Sequence, residues 1–280
     1  MRTRQELLAS WEALFARAEV DSPRLSAQVL LAHALGLSRL DMLLSVRDRV
    51  APGDESAMEA LARRRLCGEP VAYLVGIREF YGLDFEVNPS VLIPRPESEL
   101  MIDWLRPALD AKRPLRILDL GTGSGALAVT CAALNPAARV TAVDISRPAL
   151  SVARRNAMRH DVLDRVSPVQ GDLLAAVRPG AFDIVLANLP YVPESTRREM
   201  SREVLEHEPG LALFAGEDGL DLYRRLARAI AGAASPGTTL LCEIDRSHGP
   251  CMKEMFAPIA RTVTVWKDYA GLDRLVIVVF

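Results

Sequence analysis

A short apolar run, Arg116-Ile117-Leu118-Asp119-Leu120, meets Gly121-Thr122-Gly123-Ser124-Gly125 and then Ala126-Leu127-Ala128-Val129. No other stretch constrains the fold as much. It predicts a strand that turns through glycines into a helix, with backbone bare enough for a ligand to approach closely. Read as Gly121-x-Gly123-x-x-Ala126, the turn also fits the dinucleotide fingerprint. By itself it leaves NAD and S-adenosylmethionine equally open.

Three further strands follow this one. Arg139 to Asp144 ends in an acid, and a carboxylate there can accept from both hydroxyls of a ribose. The strand near Val166 to Gln170 ends in Gly171-Asp172-Leu173, where Asp172 can accept from an adenine amino group. Phe182 to Ala187 ends in Asn188-Leu189-Pro190-Tyr191. Asp119, Asp144 and Asp172, taken singly, each fit an ordinary cap or turn. As an ordered set they mark the carboxyl edge at which open α/β sheets bind ligands. The tail changes character. Thr262 to Trp266 and Leu275 to Val279 are two apolar alternating stretches, and no helix fits between Asp268 and Asp273, so they are expected to pair antiparallel. A mainly parallel, doubly wound sheet with that ending suits a methyltransferase that uses S-adenosylmethionine better than an NAD enzyme.

The turn Asn188-Leu189-Pro190-Tyr191 suits one chemical problem, the methylation of a planar NH2 group whose lone pair is delocalised. Such a nitrogen occurs on a carboxamide or on an exocyclic base amine. Both its hydrogens must be held on acceptors while the lone pair faces an electrophilic carbon. The Asn188 side-chain oxygen is one acceptor and the Pro190 carbonyl the other. Proline stiffens the turn, and the Tyr191 ring offers a flat face. An ordinary proline turn at a strand end has the same spelling.

Composition bounds the class. The chain has 280 residues, 50% hydrophobic and 25% charged, with a net charge of −2. That suits one large or two modest domains with real cores, and it argues against stable nucleic-acid binding through bulk charge. Cys67, Cys131, Cys242 and Cys251 form no C-x-x-C pair, and the histidines lack metal-ligand spacing, so neither disulfide nor metal site is expected. No signal peptide or membrane span is evident, and a cytoplasmic protein is expected.

Organisation follows from periodicity. Residues 1 to 75 read as helices with apolar repeats at helical spacing, starting for example at Asp21-Ser22-Pro23. Basic and acidic residues balance through Val75, which argues against a phosphate-binding module and mildly for protein docking; a simple helical cap fits as well. Arg63-Arg64-Arg65 reads as a solvated face. An extended segment from about Tyr73 to Leu92 reads as a β-hairpin arm. A helix follows, with Leu100, Met101, Trp104, Leu105 and Leu109 on its apolar face. The expected division is a helical domain over 1–75, a hairpin linker over 76–95 and a cofactor-binding domain over 96–280.

The chain resembles the release-factor glutamine methyltransferases, the HemK-type family. Val91-Leu92-Ile93-Pro94-Arg95-Pro96-Glu97-Ser98-Glu99 is the most specific stretch. Glu69-Pro70-Val71-Ala72-Tyr73, Glu79-Phe80-Tyr81-Gly82 and Ile117 to Ala126 are similar as well. So are Glu208-Pro209, Asp218-Gly219-Leu220, Asp268, Gly271 and Arg274. Leu189 stands where the family usually has a second proline, Asp245 where it has glycine, and Ser98 where it has threonine. The resemblance implies a Rossmann-like, seven-stranded fold with an antiparallel C-terminal strand. It implies methyl transfer from S-adenosylmethionine, leaving S-adenosylhomocysteine, to the side-chain amide nitrogen of a protein glutamine, that of the Gly-Gly-Gln loop of class 1 peptide-chain release factors. Gly121, Thr122, Gly123, Ser124, Gly125, Asp144, Asp172 and Leu173, with Asn188, are then the cofactor contacts. Asn188, Leu189, Pro190 and Tyr191 are the substrate contacts, with Asn188, Pro190 and Tyr191 performing the reaction. Arg95 and Glu97 orient the arm over the pocket or pair with each other. The alternative is an N6-adenine methyltransferase acting on RNA or DNA, which uses the same turn on a flipped base.

Overall fold

The computed structural model describes residues 1–280, which divide into two compact units. The first comprises Met1–Ile77 with Ser201–His207. Its helices are α1 (Arg4–Arg17), α2 (Pro23–Ala34), α3 (Arg39–Leu44), α4 (Pro52–Leu66) and α5 (Val71–Val75). Leu7, Phe15, Leu30, Leu31, Met42 and Met58 close its core. Proline opens α2 and α4, where a missing N–H costs nothing. Ser22 precedes α2 in the left-handed region and gives no side-chain cap, so proline alone sets that start. Helix α5 occupies Tyr73, where extended chain is expected from sequence; Gly76, with φ 75°, ends it. Arg65 departs from the solvated-face reading of its basic run. It is 3% exposed and bonds Glu203 at 2.6 Å, whereas Arg63 and Arg64 pair with Glu59 and Glu69 on the surface.

The second unit begins with a hairpin, β1 (Ile77–Phe80) and β2 (Leu83–Glu86). Tyr81 and Gly82 form its turn with φ 52° and 77°, the left-handed pair that matches strand twist. Then come α6 (Glu99–Asp110), β3 (Leu115–Leu120), α7 (Ala126–Leu134), β4 (Ala138–Asp144), α8 (Arg147–Arg159), β5 (Val166–Gln170) and β6 (Ile184–Ala187). Helix α9 (Arg202–His207) belongs to the first unit. The remainder is α10 (Asp221–Ile230), β7 (Thr239–Glu243), α11 (Gly249–Phe256), β8 (Thr262–Lys267) and β9 (Asp273–Val279).

Seven strands form one sheet in the order β5-β4-β3-β6-β7-β9-β8. β3 pairs in parallel with β4 and β6, and β9 runs antiparallel to β7 and β8, as expected of the tail. Alternate residues face opposite sides. Ile117, Val140, Ala142 and Leu186 pack with Leu105, Leu127 and Val129 on one side; Leu118, Leu120, Val185 and Val276 pack with Tyr223, Leu226 and Phe256 on the other. A central strand buried on both faces must be apolar throughout, and Ile184–Ala187 is. No helix is long and apolar enough to cross a membrane. Cys131 and Cys242 are buried thiols and no disulfide forms.

Candidate active site

The strand order reverses between β3 and β6, since β4 continues to one side and β6 to the other. Loops leaving the carboxyl ends of β3 and β6 therefore part, and a crevice opens between them. A cavity of about 260 Å³ lies there, within the second unit. Gly121, Thr122, Gly123, Ser124, Asp144, Asp172, Leu173, Asn188, Leu189 and Pro190 all line it. Gly125 and Tyr191 are not in its wall.

The glycine loop is held from behind. Thr122 donates its backbone N–H to Val143 O at 3.0 Å and its hydroxyl to Asp119 Oδ2 at 2.6 Å. Asp144 Oδ2 accepts from Gly123 N at 2.9 Å and Oδ1 from Ser146 N at 2.8 Å. Burial raises the Asp144 carboxyl, with these N–H groups opposing it. Gly125 serves packing. Its φ is 81°, and a Cβ there would sit 3.1 Å from the Ala153 Cβ, so it brings α7 against α8. Asp172 pairs with Arg225 at 2.6 Å, both half-exposed at the cavity. Leu173 adopts φ 50°, a strained conformation for a branched side chain, and so turns the chain sharply at the cavity wall.

Asp119 has a feature that points to a ligand. The side chain is buried in the cavity wall and Oδ1 has no partner. Burial pushes its carboxyl up to about 7. A cationic group in the cavity beside it would favour the ionised form. S-adenosylmethionine carries two positive centres and a ribose diol. The orphaned acid, the second acid at Asp144 and the bare glycine backbone fit it.

On the opposite side the polar groups come from distant parts of the chain. Asn188 Nδ2 donates to Ser98 Oγ at 2.7 Å and to Glu243 Oε2 at 3.0 Å. Ser98 donates its hydroxyl to the same Oε2 at 2.5 Å, and Tyr191 donates to Glu243 Oε1 at 3.1 Å. Both Asn188 amide hydrogens are thus committed, and its oxygen is the polar atom left over. Burial raises the Glu243 carboxyl, opposed by the bonds from Ser98 and Tyr191 and by the charge of Arg274. Burial likewise raises the Tyr191 phenol, and the Glu243 charge adds to it. Leu189 is 3% exposed and packs into the core toward Gly121, so the side chain that replaces proline fills space beside the loop. Asp245 does not have a positive φ; its Oδ1 accepts from Ser247 N at 2.9 Å and Ser247 Oγ at 2.6 Å, forming a turn that needs no glycine.

Arg95 lines the cavity, but its partner is Glu208 and not Glu97. Nη2 meets Oε1 at 2.6 Å, while Glu97 is exposed. Glu208, whose side chain is almost wholly buried, also accepts from Ile93 N at 3.3 Å. It ties the Pro94-Arg95 segment to Pro209. Sequence reasoning assigned no role to Glu243 or Glu208, nor to Ser98 beyond its place in a motif. The available signals were a buried strand ending in glutamate, Leu240-Leu241-Cys242-Glu243, and the Glu208-Pro209 pair of the resemblance.

Two family models match the chain: the PrmC N-terminal domain over residues 6–76 and the methyltransferase small domain over residues 97–209. A release factor glutamine methyltransferase of Nitratidesulfovibrio vulgaris is 41% identical over 280 residues, covering 98% of this chain and 94% of that protein. One of Chlorobaculum tepidum is 40% identical over 278 residues, covering 96% and 94%. Among solved structures, a methyltransferase from Pyrococcus furiosus matches with a TM-score of 0.53 at 20% identity, covering 78% of this chain and 96% of that one. The Thermus thermophilus 16S rRNA N2 G1207 methyltransferase, solved with AdoMet and guanosine, matches with a TM-score of 0.52 at 16% identity, over 72% and 49%. These two likenesses bear on the fold alone.

Proposed function

The chain belongs to the release factor glutamine methyltransferase family, and on that premise we propose that it methylates the N5 side-chain nitrogen of a glutamine in a class 1 peptide-chain release factor, using S-adenosylmethionine. The observation that carries this reading is the Asn188 carboxamide, whose two hydrogens are taken by Ser98 and Glu243 on the wall of a glycine-lined cavity. A group so held presents an acceptor, which a carboxamide NH2 needs and a carboxylate does not.

S-adenosylmethionine supplies a methyl group on a positively charged sulfur. The protein's part is to bind, orient and exclude water. Gly121 to Ser124 leave room for close approach, Asp144 accepts from the ribose hydroxyls, and Asp119 balances positive charge. Asp172 and Leu173 close the adenine end. Asn188 Oδ1 and the Pro190 carbonyl accept the two N–H groups of the target glutamine. The amide plane is then fixed and its nitrogen lone pair is aimed along one line, and positioning of this kind lowers the barrier. Tyr191 steadies Glu243 from the far side. No strong base is required, because the nitrogen gives up its proton to water only after its lone pair has bonded to the methyl carbon and the carbon–sulfur bond has broken, leaving S-adenosylhomocysteine. The helical domain over 1–75 is the docking module for the protein substrate, and the hairpin over 76–95 is the linker to the transferase domain over 96–280. That substrate places the enzyme's work in the cytoplasm, with no membrane and no stable nucleic-acid partner.

The test is label transfer from S-adenosylmethionine to three acceptors: a class 1 release factor, the same factor with its loop Gln→Ala, and bare RNA. Label on the first alone is expected. Label on RNA but not on the release factor would overturn the reading in favour of an adenine methyltransferase.

A further inference from the structure

Resting on that reading, we propose that Glu243 is a positioning residue which sets the polarity of the Asn188 carboxamide and so makes the site select a glutamine over a glutamate. An asparagine side chain has two nearly isosteric ends, one accepting and one donating, and a half-turn about its last bond exchanges them. Only the accepting end suits an NH2 substrate. With the donating end forward, the pocket would face the target amide nitrogen with N–H against N–H and would favour a carboxylate.

The bond directions all originate at Glu243. Its carboxyl sits among the Ser98 and Tyr191 hydroxyls, the Asn188 amide and the Arg274 charge, and in that setting it acts as an acceptor. Ser98, 2.5 Å from Oε2, must therefore donate its single hydrogen to it. The Ser98 oxygen is then an acceptor toward Asn188, at 2.7 Å, and Oε2 is a second acceptor at 3.0 Å. Two acceptors face the same end of Asn188, so that end must be the NH2. Tyr191 donates to Oε1 at 3.1 Å and so holds the carboxyl plane from the far side. The carboxylate is buried, at 2% exposure, and the groups around it are three donors with Arg274 as the facing positive charge and Glu97 as the opposing negative one. In such surroundings hydrogen bonds to a charged acceptor are strong and directional. Glu243 touches neither cavity nor substrate; it is absent from the cavity wall and acts through Asn188.

Two variants and their combination test this. Glu243→Gln removes the charge and keeps the shape, but gives the position a donor as well as an acceptor. Asn188→Asp sets carboxylate against carboxylate. In the double variant the new amide can donate to the new carboxylate, whose outer oxygen again faces the cavity as an acceptor. With release factor as substrate, Asn188→Asp is expected to lower kcat about a hundredfold or more, the range seen on loss of one oriented polar group, and Glu243→Gln, which acts one residue further out, about tenfold. The double variant should regain about tenfold over Asn188→Asp. Affinity for S-adenosylhomocysteine, by calorimetry, should stay within about twofold in Glu243→Gln, and the side-chain NH2 of Asn188 should exchange faster by NMR in that variant than in the parent. A structural role alone cannot produce the rescue. The proposal is overturned if Glu243→Gln keeps its parent kcat, or if the double variant is no better than Asn188→Asp. Should Glu243→Gln not fold, Ser98→Ala, which deletes the relay hydroxyl and keeps the carboxylate, must still lower kcat without changing cofactor affinity. The parent protein's turnover is measured first, so failure of the proposed function is seen separately, as absence of label on the release factor.

Discussion

The two sides of the cavity are built on different principles. On the β3–β4–β5 side, the wall is built from backbone. Three glycines with positive φ, an acid accepting from two backbone N–H groups and a leucine forced to φ 50° shape the wall, and each partner lies near its neighbour in sequence or on the adjacent strand. On the β6–β7 side, the groups are joined in a side-chain relay. Asn188, Ser98, Tyr191 and Glu243 come from three separate stretches, with 90 residues between Ser98 and Asn188 and 55 between Asn188 and Glu243. A backbone site tolerates exchange of side chains and fails when a Cβ intrudes. A side-chain site fails when one polar group is lost, because its buried partners are left without bonds.

That contrast can be broken most severely at Asn188. Asn188→Ala should cut transfer by about a hundredfold to a thousandfold, since an oriented polar group at the reacting atoms is lost, while calorimetric affinity for S-adenosylhomocysteine holds. A loss of cofactor affinity in proportion to activity would mean the two sides are not separable. On the other side, Gly125→Ala should destabilise by about 1–3 kcal/mol in urea titration, because φ is 81° and Ala153 stands 3.1 Å from the added carbon. An unchanged midpoint would show that α7 and α8 yield easily.

Asp119 sharpens the comparison through pH. Its folded pKa, about 7, lies above its ordinary value of 3.8. The folded chain therefore holds a proton that the unfolded chain has released. This contribution to stability is fully present below about pH 4 and is lost as pH rises toward 7. Cofactor binding, if it pairs a cation with this acid, should tighten as pH rises from about 5 to 7 and should release a proton, seen by calorimetry in two buffers. Asp119→Asn should abolish both dependences; their survival in that variant would assign them to another group. The smallest effect belongs to Arg225→Ala. Its pair with Asp172 is half-exposed on both sides, and removal should cost about 0.2–1 kcal/mol and weaken further in salt.

The glycine turn, the acids at strand ends and the antiparallel tail were all legible in the chain, because each is a local pattern with one dominant physical reading. Other features were not. Arg65 lies in a run of three arginines that reads as a solvated face, yet it is buried against Glu203, 138 residues away. The helix at Tyr73 is ended by Gly76, and a five-residue helix carries too little periodicity to separate from a strand. Arg95 stands two positions from Glu97 in the chain but pairs with Glu208, 113 residues away.

Sequence alone determined the sheet, its edge and the acceptor turn, because strand, glycine and proline preferences act within a few residues. It also determined that Asn188 would stand at that edge. Only the tertiary structure decided which end of Asn188 the protein itself holds. That grip depends on a buried carboxyl at the end of β7 and a hydroxyl ahead of α6, brought together by folding, and no spacing along the chain records the direction of a hydrogen bond between them.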